Sequence, residues 1–274
     1  MELLAAEPDN VFTLTAITRK LGLSKATCYA ILSTLINHGW VVRASSAGYS
    51  CGPAIPKLMH ATSYHAFRPC LVELADATGT PVSLGRRDNG RIDIVDAVGK
   101  PLSGPSIEAG FRLPLLAPFG RDYVAWSTEA EQQAWLRTFE KSTSTLRTRI
   151  RAVLRENRSR GYIIERLSPE YIQVYSALRS LDSLGQPDAI TAKLAGALAE
   201  LTLIDYLPDE LASRKKHPVA TISAPIMDAN GIATMALTAA PFTELSTRSI
   251  HKIGTLVAEA ARSLSGLPAV HVSP

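Results

Sequence analysis

Cysteine is scarce in this sequence, and its cysteines are widely separated. The 274 residues include three, Cys28, Cys51 and Cys70, and no CxxC or other metal-ligand spacing occurs among them. An odd number of scattered cysteines argues against a disulfide framework and favours a protein of the reducing cytoplasm. We therefore expect neither a metal site nor a cofactor.

Long apolar runs are also lacking. The longest uncharged run, at 229–243, is shorter than the ~20 residues that a membrane-spanning helix needs. The first residues, MELLAAEPDN, have neither the charged region nor the long apolar core of a signal peptide. We therefore expect a cytoplasmic protein with no membrane partner.

The motifs that identify common enzyme classes are absent from the sequence. It contains no GxSxG, HExxH, P-loop or dinucleotide-binding fingerprint. Its six histidines are not spaced with carboxylates or cysteines as a catalytic site would be. The charge balance, 29 basic against 25 acidic residues, permits nucleic-acid binding without requiring it. The sequence therefore gives an enzymatic function little support.

The most informative stretch is residues 14–40, which read LTAITRKLGLSKATCYAILSTLINHGW. The pattern predicts a short helix capped by Thr15, a left-handed turn at Gly22, and a longer helix capped by Ser24. Apolar residues recur at i, i+3, i+4 and i+7 of the second helix, which indicates one buried face. These residues are Cys28, Ile31, Leu32 and Leu35. Two helices joined by a short turn with glycine are typical of the helix-turn-helix unit, whose second helix enters the DNA major groove.

The opposite face of the second helix carries small residues, hydroxyls and one tyrosine, which suit contacts with base edges, thymine methyls and phosphates. A β run at 40–43, a polar turn and a returning strand at 48–51 then predict the wing of a winged helix. This downstream hairpin favours DNA binding over a plain helical hairpin of an all-α bundle. The predicted DNA-binding residues are Ser24, Lys25, Ala26, Thr27, Tyr29, Ala30, Ser33, Arg43 and Ser45.

Beyond the wing, the sequence predicts an α+β fold class. Residues 53–78 are predicted to form a helical linker, whose apolar face suits a dimer contact. The following residues predict an antiparallel sheet with helices on its faces, and Asn-Gly pairs at 89–90 and 230–231 indicate two tight hairpins. Helices are expected over 118–127, 129–139, 144–160 and 246–265. The winged helix-turn-helix domain would then occupy residues 1–52.

The order of these parts resembles the IclR family of bacterial transcription regulators over essentially the full length. The resemblance rests on the helix-turn-helix stretch, on YSCGPA, RPCLVELADATGTPVSL, GFRLPL and RGYIIE, and on ATISAPIMDANGIATMALTAAP. It implies a GAF-like effector-binding domain at 79–268, with a helical insertion near 168–216. It also implies a homodimer or homotetramer that binds a palindromic double-stranded DNA operator and responds to a small-molecule effector.

Three features depart from the family pattern. Ala30 stands where members often have Arg, so the usual operator preference is not expected. Second, the run after Pro114 lacks the family's His and Thr. Third, about fifty residues separate Glu165 from Thr221, more than in many members. The effector is expected to be an organic acid, met by the cation Arg112, or a larger and more apolar metabolite. The predicted effector-binding residues are Arg112, Leu116, Glu165, Thr221 and Thr238.

Three hypotheses follow from the sequence. The leading one is a repressor or activator that binds its operator through the winged helix-turn-helix and responds to an effector in its C-terminal domain. The second is a DNA-binding regulator whose C-terminal domain serves only for oligomerisation. The third, with the least support, is an enzyme in which the helix-turn-helix is only structural.

Overall fold

The structure is a computed structural model of the chain. It describes residues 2–5, 10–44, 48–52, 64, 66–101, 104–117, 119–138, 143–183, 205–213 and 215–266. The chain divides into two compact units, with the boundary between residues 63 and 64. This boundary falls inside the stretch predicted as a linker, most of whose first half lies outside the described residues.

The first unit is a winged helix-turn-helix, as predicted. Its elements are α1 (Glu2–Ala5), β1 (Phe12–Thr13), α2 (Leu14–Leu21), α3 (Lys25–Asn37), β2 (Val41–Arg43) and β3 (Gly48–Cys51). The three strands form an antiparallel sheet in the order β1-β3-β2. Phe12, Ile17, Cys28, Leu32 and Val41 form the buried core that joins the helices to this sheet. Strand β1 was not predicted from the sequence.

The local signals around the turn mostly act as predicted. Gly22 ends α2 with φ of 66°, and the Ser24 hydroxyl accepts a hydrogen bond from the Thr27 N–H at 3.1 Å. The predicted cap of α2 is wrong by two residues: Thr13 accepts the hydrogen bond from the Ala16 N–H, so Thr15 lies inside the helix. Thr13 also ends β1, and the chain turns directly from strand to helix there.

The predicted apolar stripe of α3 is only partly buried. Cys28 and Leu32 are buried, whereas Ile31 is 46% exposed. Ile31 lines an open apolar groove with Leu21 and Leu23, which are also exposed. The helical period places Ile31 at the edge of the stripe, where the described part of the unit supplies too little apolar surface to cover it.

The second unit is built on a seven-stranded antiparallel sheet, which confirms the predicted α+β class. Its strands are β4 (Val82–Asp88), β5 (Arg91–Val98), β6 (Arg112–Pro114), β7 (Ile163–Arg166), β8 (His217–Met227), β9 (Ala233–Ala239) and β10 (Thr243–Leu245). They are arranged in the order β10-β8-β9-β4-β5-β6, and β7 pairs with β8. The hairpin turn between β4 and β5 has positive φ at both Asn89 and Gly90, as the Asn-Gly pair predicts.

Helices surround this sheet. They are α4 (Arg68–Thr78), α5 (Arg121–Val124), α6 (Glu129–Arg137), α7 (Ser144–Arg160), α8 (Pro169–Ser183), α9 (Pro208–Leu211) and α10 (Thr247–Leu264). The helix predicted at 118–127 is only partly confirmed, because the helix found there is the single turn α5. Helix α4 was predicted as part of the linker, but it packs against the sheet and α10 of the second unit. The middle of the predicted insertion lies outside the described residues.

The two faces of the sheet differ in character. On one face, apolar residues that include Val82, Leu84, Ile222 and Leu237 pack with α4 and α10 in the largest buried core. On the other face, the alternate residues of the same strands are smaller or polar, because successive side chains of a strand point to opposite faces. This second face holds a cavity. None of the helices in the described part of the chain combines the length and apolar character that crossing a bilayer requires.

Candidate DNA-binding and effector-binding sites

Helix α3 presents an open surface at the predicted recognition face. Lys25, Ala26, Tyr29 and Ala30 are exposed, and the Tyr29 side chain, at 53%, is the most exposed large apolar residue there. Ser33, one turn further along, is half-buried. The two alanines leave the helix backbone accessible to a flat partner, and the longer groups are set on either side of them.

Two of the predicted DNA-binding residues use their hydroxyls within the protein. The Ser24 and Thr27 hydroxyls are hydrogen-bonded to each other at 2.8 Å, and Ser24 also caps α3. An N-cap of this kind fixes the first turn of the helix, whose N–H groups then point outward. The first turn of α3 is therefore suited to an approaching phosphate.

Basic residues are spread over the first unit rather than clustered. Arg19 and Lys20 lie in the last turn of α2, and Lys20 sits over the Phe12 ring at 5.0 Å. Arg43 is exposed at the end of β2, at the base of the wing. Ser45, at the predicted tip of the wing, lies outside the described residues.

The cavity of the second unit has a volume of about 80 Å³. A row of polar side chains crosses its sheet wall, because Ser83 of β4 lies opposite Thr238 of β9, and Thr238 lies opposite Ser223 of β8. One pair further along β8, Thr221 lies opposite Glu165 of β7. Apolar residues of β5, of β6, of the connection between them and of the loop before α5 also line the cavity, namely Ile92, Ile94, Ile107, Phe111, Leu113 and Phe119.

The structure brings together three of the five predicted effector-binding residues. Glu165, Thr221 and Thr238 line the cavity. Arg112 is not among the lining residues: it lies opposite Asp93 in the β5–β6 pair, while its neighbour Leu113 faces the cavity. Strand alternation therefore directs Arg112 to the other side of the sheet.

Leu116 is placed one layer behind the cavity wall. It packs against the cluster that contains Ile94, Phe111 and Tyr175, three residues that do line the cavity. Leu116 is therefore positioned to shape the apolar wall rather than to touch a ligand.

A buried ionic network lies behind Glu165. The Arg121 guanidinium donates to the Glu165 carboxylate at 2.9 Å and lies 3.8 Å from a carboxylate oxygen of Asp205. Asp205 is fully buried and accepts hydrogen bonds from Arg160 at 2.7 Å and from the Ile164 N–H at 3.2 Å. The network ties α5, α7 and β7 to the segment that precedes α9.

The surroundings of the two cavity carboxyls change their acidity. Burial raises the pKa of Glu165 to about 7, and the carboxylates of Asp205 and Asp122 act in the same direction, against the lowering effect of Arg121. Burial also raises the pKa of Asp122, although a hydrogen bond from Ser223 opposes the rise. Both carboxyls therefore hold a proton at a higher pH than isolated side chains would.

Sequence reasoning missed several cavity residues on α5 and α8. Asp122 and Tyr123 reach the cavity because Gly120 starts α5 with φ of 78°. Gly85 leaves room for the Tyr123 hydroxyl, which lies 2.9 Å from where a Cβ of that residue would be. Tyr171, from α8, is hydrogen-bonded to Thr221. The glycine before the Arg-Asp-Tyr run was the only local signal for this part of the site.

Comparisons with known proteins follow this division of the chain. Residues 1–45 match the family model described as the IclR helix-turn-helix domain. Residues 58–171 match the model described as the bacterial transcriptional regulator IclR C-terminal domain. Together the two models cover more than half of the chain.

Among individual proteins, the chain is similar to the HTH-type transcriptional regulator XynR of Escherichia coli strain K12. The two are 28% identical over 165 residues, which are 56% of this chain and 66% of XynR, so the match spans a little under two thirds of that relative. An IclR transcriptional regulator from Alicyclobacillus acidocaldarius shares the fold, with a TM-score of 0.52 at 19% identity over 93% of this chain and 90% of that one. The Thermotoga maritima IclR structure gives a TM-score of 0.47 at 16% identity, over 93% and 92% of the two chains.

Proposed function

This chain belongs to the IclR family of bacterial transcription regulators, and we propose that it binds a double-stranded DNA operator through helix α3 and responds to a small molecule in the cavity of its second unit. The observation that carries the proposal is the exposed face of α3, where Lys25, Ala26, Tyr29 and Ala30 are open to a partner. A recognition helix needs such a face, because its first residues meet the base edges of the major groove.

The composition of this face determines how DNA would be read. Lys25 supplies the positive charge at the start of the helix, and Arg43 is placed to meet a phosphate from the wing. Ala30 brings no long hydrogen-bonding group to the bases. Sequence preference would therefore come from Tyr29, from Ser33 and from the shape of the DNA.

The proposed response to an effector is supported by the cavity on the polar face of the sheet. Buried hydroxyls, two carboxyls and several apolar side chains line it together, and a mixed lining of this kind is typical of sites for small molecules. A second unit that only held copies of the chain together would have no need of such a lining. We therefore favour a ligand-responsive regulator over the oligomerisation-only alternative, and the two family matches favour a regulator over an enzyme.

We further propose that the working form is a homodimer or homotetramer in the cytoplasm. A protein with two-fold symmetry presents two recognition helices to half-sites about one helical turn apart, or a multiple of that distance. Size-exclusion chromatography with light scattering, with and without DNA, measures the assembly. A monomer that binds DNA as a single unit would contradict the symmetric arrangement.

The DNA-binding proposal is tested by selecting bound fragments from a pool that includes the DNA upstream of the protein's own gene. We expect enrichment of discrete fragments, and loss of that enrichment for the Lys25→Glu variant. The charge reversal Lys252→Glu, at an exposed position of α10, is the matched control and is expected to leave binding unchanged. Salt must be held fixed, because phosphate contacts make the affinity salt-dependent.

A further inference from the structure

The charged side chains that face the cavity are of one sign. Among the described residues that line it, the ionisable carboxyls are Asp122 and Glu165, and no arginine or lysine is present. Arg121 lies behind Glu165 with 1% of its side chain exposed, and it is already engaged by Glu165 and Asp205. A ligand entering the cavity therefore meets hydrogen-bond acceptors before it meets any cation.

Two buried hydroxyls at the cavity are unsatisfied. Ser83 Oγ and the Tyr123 hydroxyl have no hydrogen-bond partner in the part of the chain that the structure describes, although the two residues are 2% and 1% exposed. A buried hydroxyl left without a partner costs on the order of 1–3 kcal/mol. Because both residues line the same cavity as Asp122 and Glu165, a polar ligand there would complete their hydrogen bonds.

The cavity is small, and both polar and apolar side chains line it. Its volume of about 80 Å³ is roughly half that of an engineered apolar cavity that binds benzene. Ile92, Ile94 and Phe111 offer contacts to a short carbon skeleton, while the hydroxyls and carboxyls that line the same cavity offer hydrogen bonds. The ligand must therefore be a compact molecule with one apolar part and one polar part.

We propose that the cavity selects a small alcohol or amine and rejects a carboxylate of the same size. This inference rests on the proposed function of the cavity as the effector site, and it specifies the chemical class of the effector. A hydroxyl or ammonium group donates to Asp122 or Glu165 and accepts from, or donates to, the free hydroxyls of Ser83 and Tyr123. At pH 8, above the pKa of about 7 at which Glu165 loses its proton, a carboxylate would place a further negative charge beside the Glu165 carboxylate, with no accessible cation among the described lining residues to compensate it.

Three compounds with the same carbon skeleton test whether the cavity prefers an alcohol or amine to a carboxylate. Propane-1,2-diol, 1-amino-2-propanol and lactate share three carbons and a hydroxyl at the second one, and they differ in whether the end group is neutral, cationic or anionic. Their binding to the full-length chain is measured at pH 8 by calorimetry and by the shift of the melting temperature, without DNA. We expect the diol or the amino alcohol to bind at least about tenfold more tightly than lactate, a difference of ~1.4 kcal/mol.

Two variants connect the selectivity to the named residues. Glu165→Gln removes a negative charge at nearly constant volume and is expected to weaken binding of 1-amino-2-propanol about tenfold and to reduce the discrimination against lactate. Ser83→Ala removes an unsatisfied buried hydroxyl, so it is expected to weaken binding of the diol or the amino alcohol while keeping or raising the melting temperature of the unliganded protein. Ser263→Ala, at an exposed position of α10, is the control.

The proposal is overturned if lactate binds as tightly as the other two compounds, or if none of the three binds up to about 10 mM, well above the Kd of ~1 mM that such small ligands reach. Because binding is measured without DNA, the result is independent of operator recognition. A protein that binds the diol but shows no ligand-dependent change in DNA affinity would contradict the effector role and leave the selectivity of the cavity intact.

Discussion

The Arg121 guanidinium and the Glu165 carboxylate form an ion pair at 2.9 Å in which 1% of the arginine side chain and 21% of the glutamate side chain are exposed. The glutamate faces the cavity and the arginine faces the protein interior, where it approaches Asp205. The pair therefore connects the ligand-facing surface of the sheet to a network of buried charges.

The first prediction concerns the stability that this pair provides. Arg121→Met is expected to destabilise the second unit by about 3–5 kcal/mol, because it leaves the Glu165 carboxylate without its buried partner, whereas Asp205 keeps Arg160. Calorimetric or urea unfolding measures the loss. Arg68→Met breaks an ion pair with Asp96 in which the arginine side chain is 48% exposed, so it should change stability by less than about 1 kcal/mol. Equal effects of the two substitutions would contradict the burial argument.

The second prediction concerns pH. The pKa of Glu165 is about 7 in the folded chain and near the usual 4.5 in the unfolded chain, so the folded state binds more protons between these values. Its contribution to stability is therefore complete below pH 4.5 and is lost as the pH rises through 7, by up to ~3 kcal/mol. Asp122, whose pKa is also raised, acts in the same direction. As the pH rises from 4.5 to above 7, the free energy of unfolding should fall less for Glu165→Gln than for the natural protein. Parallel stability curves for the two proteins would refute this prediction.

The third prediction concerns the N-terminus of α3. Ser24→Ala removes the hydroxyl that accepts from the Thr27 N–H, and it is expected to cost about 1 kcal/mol of stability in the first unit. Ser24→Asp keeps an acceptor at the same position and should retain most of the stability. Urea unfolding of the three proteins measures the difference, and an alanine variant as stable as the aspartate variant would show that the cap is unimportant.

The fourth prediction separates DNA contact from folding. Ser33→Glu and Lys25→Glu place negative charge on the face of α3, and each is expected to weaken operator binding on the order of tenfold or more. Both side chains lie outside the buried core, so the melting temperature should change little. If the affinity survived both changes, α3 would not be the recognition helix.

The sequence predicted best those features that depend on neighbouring residues. The turn at Gly22, the cap at Ser24 and the hairpin at Asn89-Gly90 are all fixed by local backbone preferences, and all were found. Helix bounds given by capping residues, such as those of α7 and α10, were likewise close to the predicted ones.

The features that failed depend on contacts between distant segments. Ile31 has the right spacing for a buried stripe, but its exposure depends on what packs beside it. The α5 segment was predicted as a ten-residue helix, because composition does not show that its first residues must turn into the cavity wall. Arg121 gave no signal in the sequence, since its partners Glu165 and Asp205 lie far along the chain.

The central claim is that α3 reads a DNA operator, and footprinting with the full-length protein tests it most directly. DNA fragments selected by the protein are digested at rising protein concentration in about 100 mM salt, with Ser33→Glu as the comparison. We predict protection of two half-sites about one helical turn apart, or a multiple of that distance, by the natural protein, and loss of that protection with the variant. Saturating protein that protects no site, or identical protection by the variant, would contradict the account.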